Sequence, residues 1–175
     1  MEEKELIKLL KNEETLAQGF KILLQDYQER VYWAIRKIVI NHEDANDITQ
    51  DVFVKVYASI TKFRGDSQLY TWVYRIAVNE SLTFMNKKKR YSTEDDTILQ
   101  ETLKAGSYVD GNEIEMKLQA ALLKLPEKQR LVFNMKYFDD LKYEQIAQIT
   151  NTSVGALKAS YHHAIKKIEE FINEV

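Results

Sequence analysis

No cysteine occurs among the 175 residues. That excludes disulfides, thiolate metal sites and cysteine nucleophiles. Proline occurs once and glycine five times, too rarely for a collagenous or low-complexity chain. No apolar run approaches the roughly 20 residues that a bilayer-spanning helix needs. The amino end, Met-Glu-Glu-Lys-Glu, has no basic segment leading into an apolar one. The expectation is a soluble, cytoplasmic protein without membrane insertion. An excess of charge of one sign is also missing, with 25 basic against 27 acidic residues and a net charge of −2. By itself that balance gives no hint of nucleic acid.

Charge is unevenly distributed, however. Residues 1–92 carry 15 basic and 13 acidic groups, net +2; residues 93–112 carry one and five, net −4; residues 113–175 carry nine of each. Within the first segment, residues 61–92 hold Lys62, Arg64, Arg75 and the run Lys87-Lys88-Lys89-Arg90 against only Asp66 and Glu80. Glu43, Asp44, Asp47 and Asp51 form an acidic window without a base, and Lys158, Lys166 and Lys167 a basic one without an acid. Clusters of this kind are electrostatic footprints or solvated helix faces.

The 45% hydrophobic content is spaced for helices. Phe20, Leu23, Leu24, Tyr27, Val31, Ile35 and Ile38 predict a helix from Thr15 to Ile40. Ala45, Ile48, Val52, Phe53 and Val56 predict a second from Glu43 to Ile60. Leu69, Trp72, Val73, Ile76 and Leu82 predict a third from Gln68 to Met85, with Ser67 as its N-cap. Residues 93–112 lose the period and read as a flexible acidic linker, with some helix allowed at Ile98–Leu103. Helices resume near Glu113, with Pro126 in the first turn of one reaching Phe138. Tyr143–Ile149, a turn at Asn151-Thr152 and a helix capped by Ser153 suggest a helix-turn-helix. There is no strand signal, so the fold class is all-α.

Candidate sites follow from these placements. Asp44, Asp47 and Asp51, with Gln50 alongside, fall on one helical face, an acidic docking surface or simply a solvated face. Counting Leu69, Trp72, Val73 and Ile76 as core puts Tyr70, Thr71, Tyr74 and Arg75 off it. Aromatic rings interleaved with cations suit a single-stranded nucleic acid. The alternative is that the tyrosines cap a core edge with wet hydroxyls. The last helix would present Ser153, Gly155, Ala156, Lys158, Ala159, Ser160, His162 and His163 outward, with free N–H groups at its start for a phosphate. His162 and His163 are adjacent, about 100° apart on a helix, and do not chelate together. No cofactor or metal is expected.

Taken together, these segments resemble a known family. Asp44-Ala45-Asn46-Asp47-Ile48-Thr49-Gln50-Asp51-Val52-Phe53, Phe63-Arg64-Gly65-Asp66-Ser67 and Tyr70-Thr71-Trp72-Val73-Tyr74-Arg75-Ile76-Ala77 with Asn79 resemble the conserved domain of bacterial extracytoplasmic-function sigma factors. Leu125-Pro126-Glu127-Lys128-Gln129-Arg130, Tyr143-Glu144-Gln145-Ile146-Ala147 and Val154-Gly155-Ala156-Leu157-Lys158 resemble that family's second domain. The resemblance implies two small helical domains. A sigma2-like bundle over 1–92 and a sigma4-like helix-turn-helix over 113–175 are joined by the linker 93–112. It implies core RNA polymerase as partner for Asp44, Asp47, Gln50 and Asp51. It implies single-stranded minus-10 DNA at Phe63, Arg64, Asp66, Tyr70, Thr71, Trp72, Tyr74, Arg75, Asn79 and Lys87, Lys88, Lys89 and Arg90. It implies duplex minus-35 DNA at the last helix, an anti-sigma partner and no catalytic residue. Ser153, Lys158, His162 and His163 depart from the residues frequent in the family. The competing expectations are a stand-alone helix-turn-helix regulator and a small helical enzyme using His42, Asp44 and Asp47.

Overall fold

The computed structural model describes residues 2–91 and 113–174. The chain divides into two compact units, Met1–Lys88 and Lys89–Val175. Every regular element among the described residues is helical. The expected linker and the expected turn of helix at Ile98–Leu103 lie outside the described residues.

The first unit contains α1 (Glu3–Lys11), α2 (Leu16–Val39), α3 (His42–Ser59), a 3-10 turn (Ile60–Lys62) and all but the last three residues of α4 (Leu69–Tyr91). The sequence reading had assigned no helix to α1. Leu6 and Leu10, one turn apart, bury its inner side, and Gly19 of α2 makes their approach possible. A Cβ there would stand 2.9 Å from Leu9 Cβ and 3.1 Å from the Leu10 amide nitrogen. The close contact therefore offsets the ~1 kcal/mol that glycine costs inside a helix. Thr15 ties off the connection by donating its hydroxyl to the Leu9 carbonyl at 2.9 Å.

Between α2 and α3 the chain reverses at Ile40, whose φ is 68° and ψ −40°. The Asn41 amide donates to the Val39 carbonyl at 2.8 Å, closing a γ-turn that strains a β-branched residue. Burial of the Ile40 side chain to 8% exposure holds it in place. Asn41 then caps α3, its side-chain oxygen accepting from the Asp44 amide at 3.0 Å. Leu23, Val31 and Ile35 of α2, Ala45, Val52 and Val56 of α3, and Leu69, Val73 and Ala77 of α4 are all buried. Buried Thr49 and Ser81 satisfy their hydroxyls on carbonyls four residues back, Ala45 and Ala77.

Helix α4 begins one residue later than expected. The Trp72 amide bonds the Gln68 carbonyl at 3.1 Å, so Gln68 occupies the cap position and Ser67 lies outside it. The Ser67 hydroxyl instead donates to the Gln68 carbonyl. The helix also runs on to Tyr91, beyond the expected Met85.

The second unit contains α5 (Glu113–Leu123), α6 (Glu127–Phe133), a π-helical turn (Asn134–Phe138), α7 (Tyr143–Thr150) and α8 (Val154–Glu174). Pro126 precedes α6 as its cap, where its missing N–H costs nothing, and its carbonyl accepts from the Arg130 amide. Ala121, Leu122, Leu125, Phe133, Ala164 and Ile168 form a core, with Tyr161 packed against it. Phe133 stacks on Tyr161 at 5.7 Å between centroids. Burial first, then the neighbouring Tyr143 and Tyr137 phenols, raise the Tyr161 hydroxyl above its usual value.

Candidate functional site

On α3, the buried stripe Ala45, Ile48, Val52 and Val56 faces the core, which turns Asp47, Gln50 and Asp51 to solvent. These three line one exposed strip. The sequence reading missed Val54, which lies in the same strip one turn beyond Gln50 and is 68% exposed. An exposed valine beside Gln50 and Asp51 offers apolar contact next to polar groups, the usual anatomy of a protein interface. Tyr57 borders the strip, with its ring edge-on to Phe20 at 4.9 Å. The only signal for Val54 and Tyr57 was spacing, four and seven residues on from Gln50.

Asp44 stands apart from the strip. Its Oδ2 accepts from Lys88 Nζ at 3.0 Å. Lys55 Nζ reaches Glu80 Oε1 at 2.5 Å farther along. These two ion pairs set α3 and α4 antiparallel. They also join a residue expected to contact polymerase to one expected to contact DNA.

The α4 assignments need correction. Tyr70, Thr71 and Tyr74 are buried at 8%, 2% and 1% exposure, as is Phe63 at 4%. Leu69, Tyr70, Val73, Tyr74, Ala77, Val78 and Ser81 make the inner face. The Arg30 guanidinium lies 3.9 Å from the Tyr70 centroid, and the edges of Tyr27 and Tyr74 close on the same ring at 5.3 and 5.7 Å. A base stacks on an open ring face, and this ring has none. Counting Leu69, Trp72, Val73 and Ile76 as core puts both tyrosines outside, whereas each buries nearly its whole ring. Phe63 packs against Trp72 at 5.4 Å, which leaves Trp72 half-buried.

Arg64, Asp66, Arg75, Asn79, Lys87, Lys89 and Arg90 are exposed. Gly65, with φ 81° and no atom near a would-be Cβ, supplies the positive φ that turns Arg64 and Asp66 outward. Lys88 is half-buried against Asp44.

In the second unit, Asn151 ends α7 in the left-handed conformation, φ 52° and ψ 44°. Ser153 caps α8, its hydroxyl accepting from the Ala156 amide at 3.3 Å. Ile146, Ile149 and Leu157 fill the angle between the two helices. Ser153, Gly155, Ala156, Lys158, Ala159, His162 and His163 are exposed, and Ser160 is half-buried. Nothing stands within 4 Å of a Cβ added at Gly155, so packing does not require glycine there. Lys158 and Lys136 approach the Tyr143 ring, with Nζ 5.8 and 5.5 Å from its centroid. That adds Lys136 and Tyr143 to the cationic surface beside α8. His162 and His163 ring centroids are 6.1 Å apart. Among the described residues no group of three or more His, Asp or Glu could hold a metal ion. Among them, too, no helix is long and apolar enough to cross a membrane.

A helical bundle with an acidic strip and a basic helix, followed by a helix-turn-helix, is the domain pair of a sigma-70-type factor. Residues 23–91 match the family model "Sigma-70 region 2" and residues 115–168 match "Sigma-70, region 4". The ECF RNA polymerase sigma-E factor of Haemophilus influenzae is 30% identical over 166 residues, covering 88% of this chain and 87% of that protein. SigW of Bacillus subtilis, also an ECF RNA polymerase sigma factor, is 28% identical over 169 residues, 90% of each chain. The chain belongs to the ECF RNA polymerase sigma factors. It is a promoter-directing transcription initiation factor.

Two solved structures share the fold. The sigma factor RpoE, in complex with the anti-sigma factor NepR from Bartonella quintana, has a TM-score of 0.71 at 21% identity, over 89% of this chain and 98% of its own. CnrH, in complex with the cytosolic domain of CnrY, has a TM-score of 0.72 at 19% identity, over 98% and 97%. A stand-alone helix-turn-helix regulator is not favoured, because it leaves the region 2 match over residues 23–91 without a role.

Proposed function

We propose that the chain is a dissociable specificity subunit that docks on core RNA polymerase through Asp47, Gln50, Asp51 and Val54 of α3. It opens the minus-10 element with Arg64, Asp66, Trp72, Arg75 and Asn79, while Lys87, Lys89 and Arg90 engage backbone phosphate. It reads the minus-35 duplex with the exposed side of α8, from Ser153 to His163. Tyr70, Thr71, Tyr74 and Phe63 support this surface from beneath and do not touch a base. Asp44 positions Lys88. The proposed domains keep the bounds 1–92 and 113–175, with 93–112 between them. The factor carries no catalytic residue of its own, works in the cytoplasm alongside polymerase, and is held in check by an anti-sigma protein, as the sigma factor RpoE is bound by the anti-sigma factor NepR.

The observation that carries this reading is the pairing, in order, of a region 2 match and a region 4 match in one chain. The exposed acidic strip and the exposed basic end of α4 fit it without adjustment. The test is titration of the labelled protein with bacterial core polymerase, followed on the same sample by transcription from a pooled promoter library. Tight binding with selective initiation is the expected result. A folded protein that binds duplex DNA but not core polymerase would refute it.

A further inference from the structure

Trp33 is 39% exposed in the second half of α2. Leaving a large aromatic ring in water forgoes stabilisation that burial would supply. This indole is nonetheless held in place. The Tyr32 ring meets it edge-on, 5.3 Å between centroids and 72° between planes. The Tyr32 hydroxyl is within 2.7 Å of His42 Nδ1, and His42 Nε2 is 3.1 Å from Asn46 Nδ2. The imidazole is thus held at both ring nitrogens, by the Tyr32 hydroxyl at Nδ1 and the Asn46 amide at Nε2. The relay runs from α3 to α2 and fixes the ring beside the indole. An exposed aromatic that is already ordered loses little freedom on binding.

The charges around it are selective. The four residues that flank Trp33 on the helix surface, three and four positions away, are Glu29, Arg30, Arg36 and Lys37. Three are cations and one is an acid. Arg30 is also the residue that covers Tyr70, so this patch lies against the first turn of α4. Helices α2 and α4 run parallel: Tyr27 meets Tyr70 near their middles and starts, and α2 ends two residues before α3, where Asp44 meets Lys88.

We propose that Trp33 is a base-stacking site for one unpaired nucleotide of the opened promoter strand, with Arg30 and Lys37 beside the adjoining phosphates. An accessible ring framed by cations is the arrangement that binds single strands with little sequence preference. It is the arrangement the α4 tyrosines do not provide. The assignment rests on the promoter-opening reading above.

The test uses holoenzyme reconstituted from the full chain and core polymerase, on the promoter enriched from the pooled library. Affinity is measured for the nontemplate strand as a single-stranded oligonucleotide and for core polymerase. Trp33→Ala is expected to weaken the oligonucleotide roughly 5- to 100-fold, and Trp33→Phe by less than about fivefold, at unchanged core affinity. Trp33→Ala within about twofold of wild type on the oligonucleotide overturns the stacking site and leaves the sigma reading standing. Loss of core affinity in Trp33→Ala also overturns it, since the indole then faces protein. If wild-type holoenzyme itself selects no promoter, the functional reading fails and the stacking site falls with it.

Discussion

Replacing Gly155 by alanine is expected to raise stability and lower DNA affinity together. Gly155 is the second residue of α8, and a Cβ there meets no atom within 4 Å. Its φ is not positive, so alanine enters without backbone strain. Such a change at an unstrained helical site gains ~0.4–1 kcal/mol, chiefly by narrowing the unfolded ensemble. The position is in the first turn, where propensity counts for less, so ~0.5 kcal/mol is the working figure. For a unit of under about 100 residues, that shifts Tm by about 2–4 °C. The glycine is then retained for what approaches from outside. An added methyl at the start of α8 blocks close approach of a phosphate to its amides. Loss of one such hydrogen bond, ~1.5 kcal/mol, weakens duplex binding about tenfold. Calorimetry and duplex titration at fixed salt read the two effects on one preparation. A lower Tm refutes the open-space argument. A higher Tm with unchanged minus-35 affinity refutes close approach of DNA to this end of α8.

Four further outcomes are expected. Asp47→Lys with Asp51→Lys abolishes core polymerase binding at unchanged circular dichroism, because both side chains are exposed; retained affinity removes α3 from the docking surface. Tyr74→Ala costs ~3–5 kcal/mol and lowers the Tm of the first unit, since the ring is 1% exposed; a stable variant deficient only in promoter opening would restore the stacking role. Asp44→Asn changes stability by less than about 1 kcal/mol, as the pair is partly exposed, but releases Lys88. The salt dependence of single-stranded minus-10 binding by the holoenzyme then steepens by up to about 0.7 in log–log slope, and an unchanged slope shows that Lys88 gains no phosphate. Asn151→Val loses ~1–2 kcal/mol in denaturant titration, from the left-handed conformation at the end of α7; a neutral result means the turn rearranges.

Most of the helical frame was legible because period and caps agree. Asn151 and Ser153 announce the turn between α7 and α8, and Pro126 announces the start of α6. Helix α1 escaped because only two of its side chains, Leu6 and Leu10, are buried, and its partner is the gap at Gly19. The face of α4 was misread because two adjacent stripes compete. Leu69, Val73, Tyr74 and Ala77 continue through Val78 and Ser81, but only if tyrosine counts as apolar. The Asp44–Lys88 pair spans 44 residues of sequence and follows from tertiary packing alone. Exposure of Trp33 was legible in Glu29, Arg30, Arg36 and Lys37, three and four residues away on either side.

The turn at Ile40 sets a length that cannot drift. One residue inserted within the first turn of α3, with Asn41 kept as its cap, would rotate the rest of that helix by about 100° relative to the cap. Asp47 and Asp51 would swing toward the core, and Ile48 and Val52 toward water. The buried, strained isoleucine thus acts as a phase lock, committing the outer face of one helix to the angular position of its neighbour. Insertions that surface loops tolerate freely are barred here by the screw sense of the helix itself.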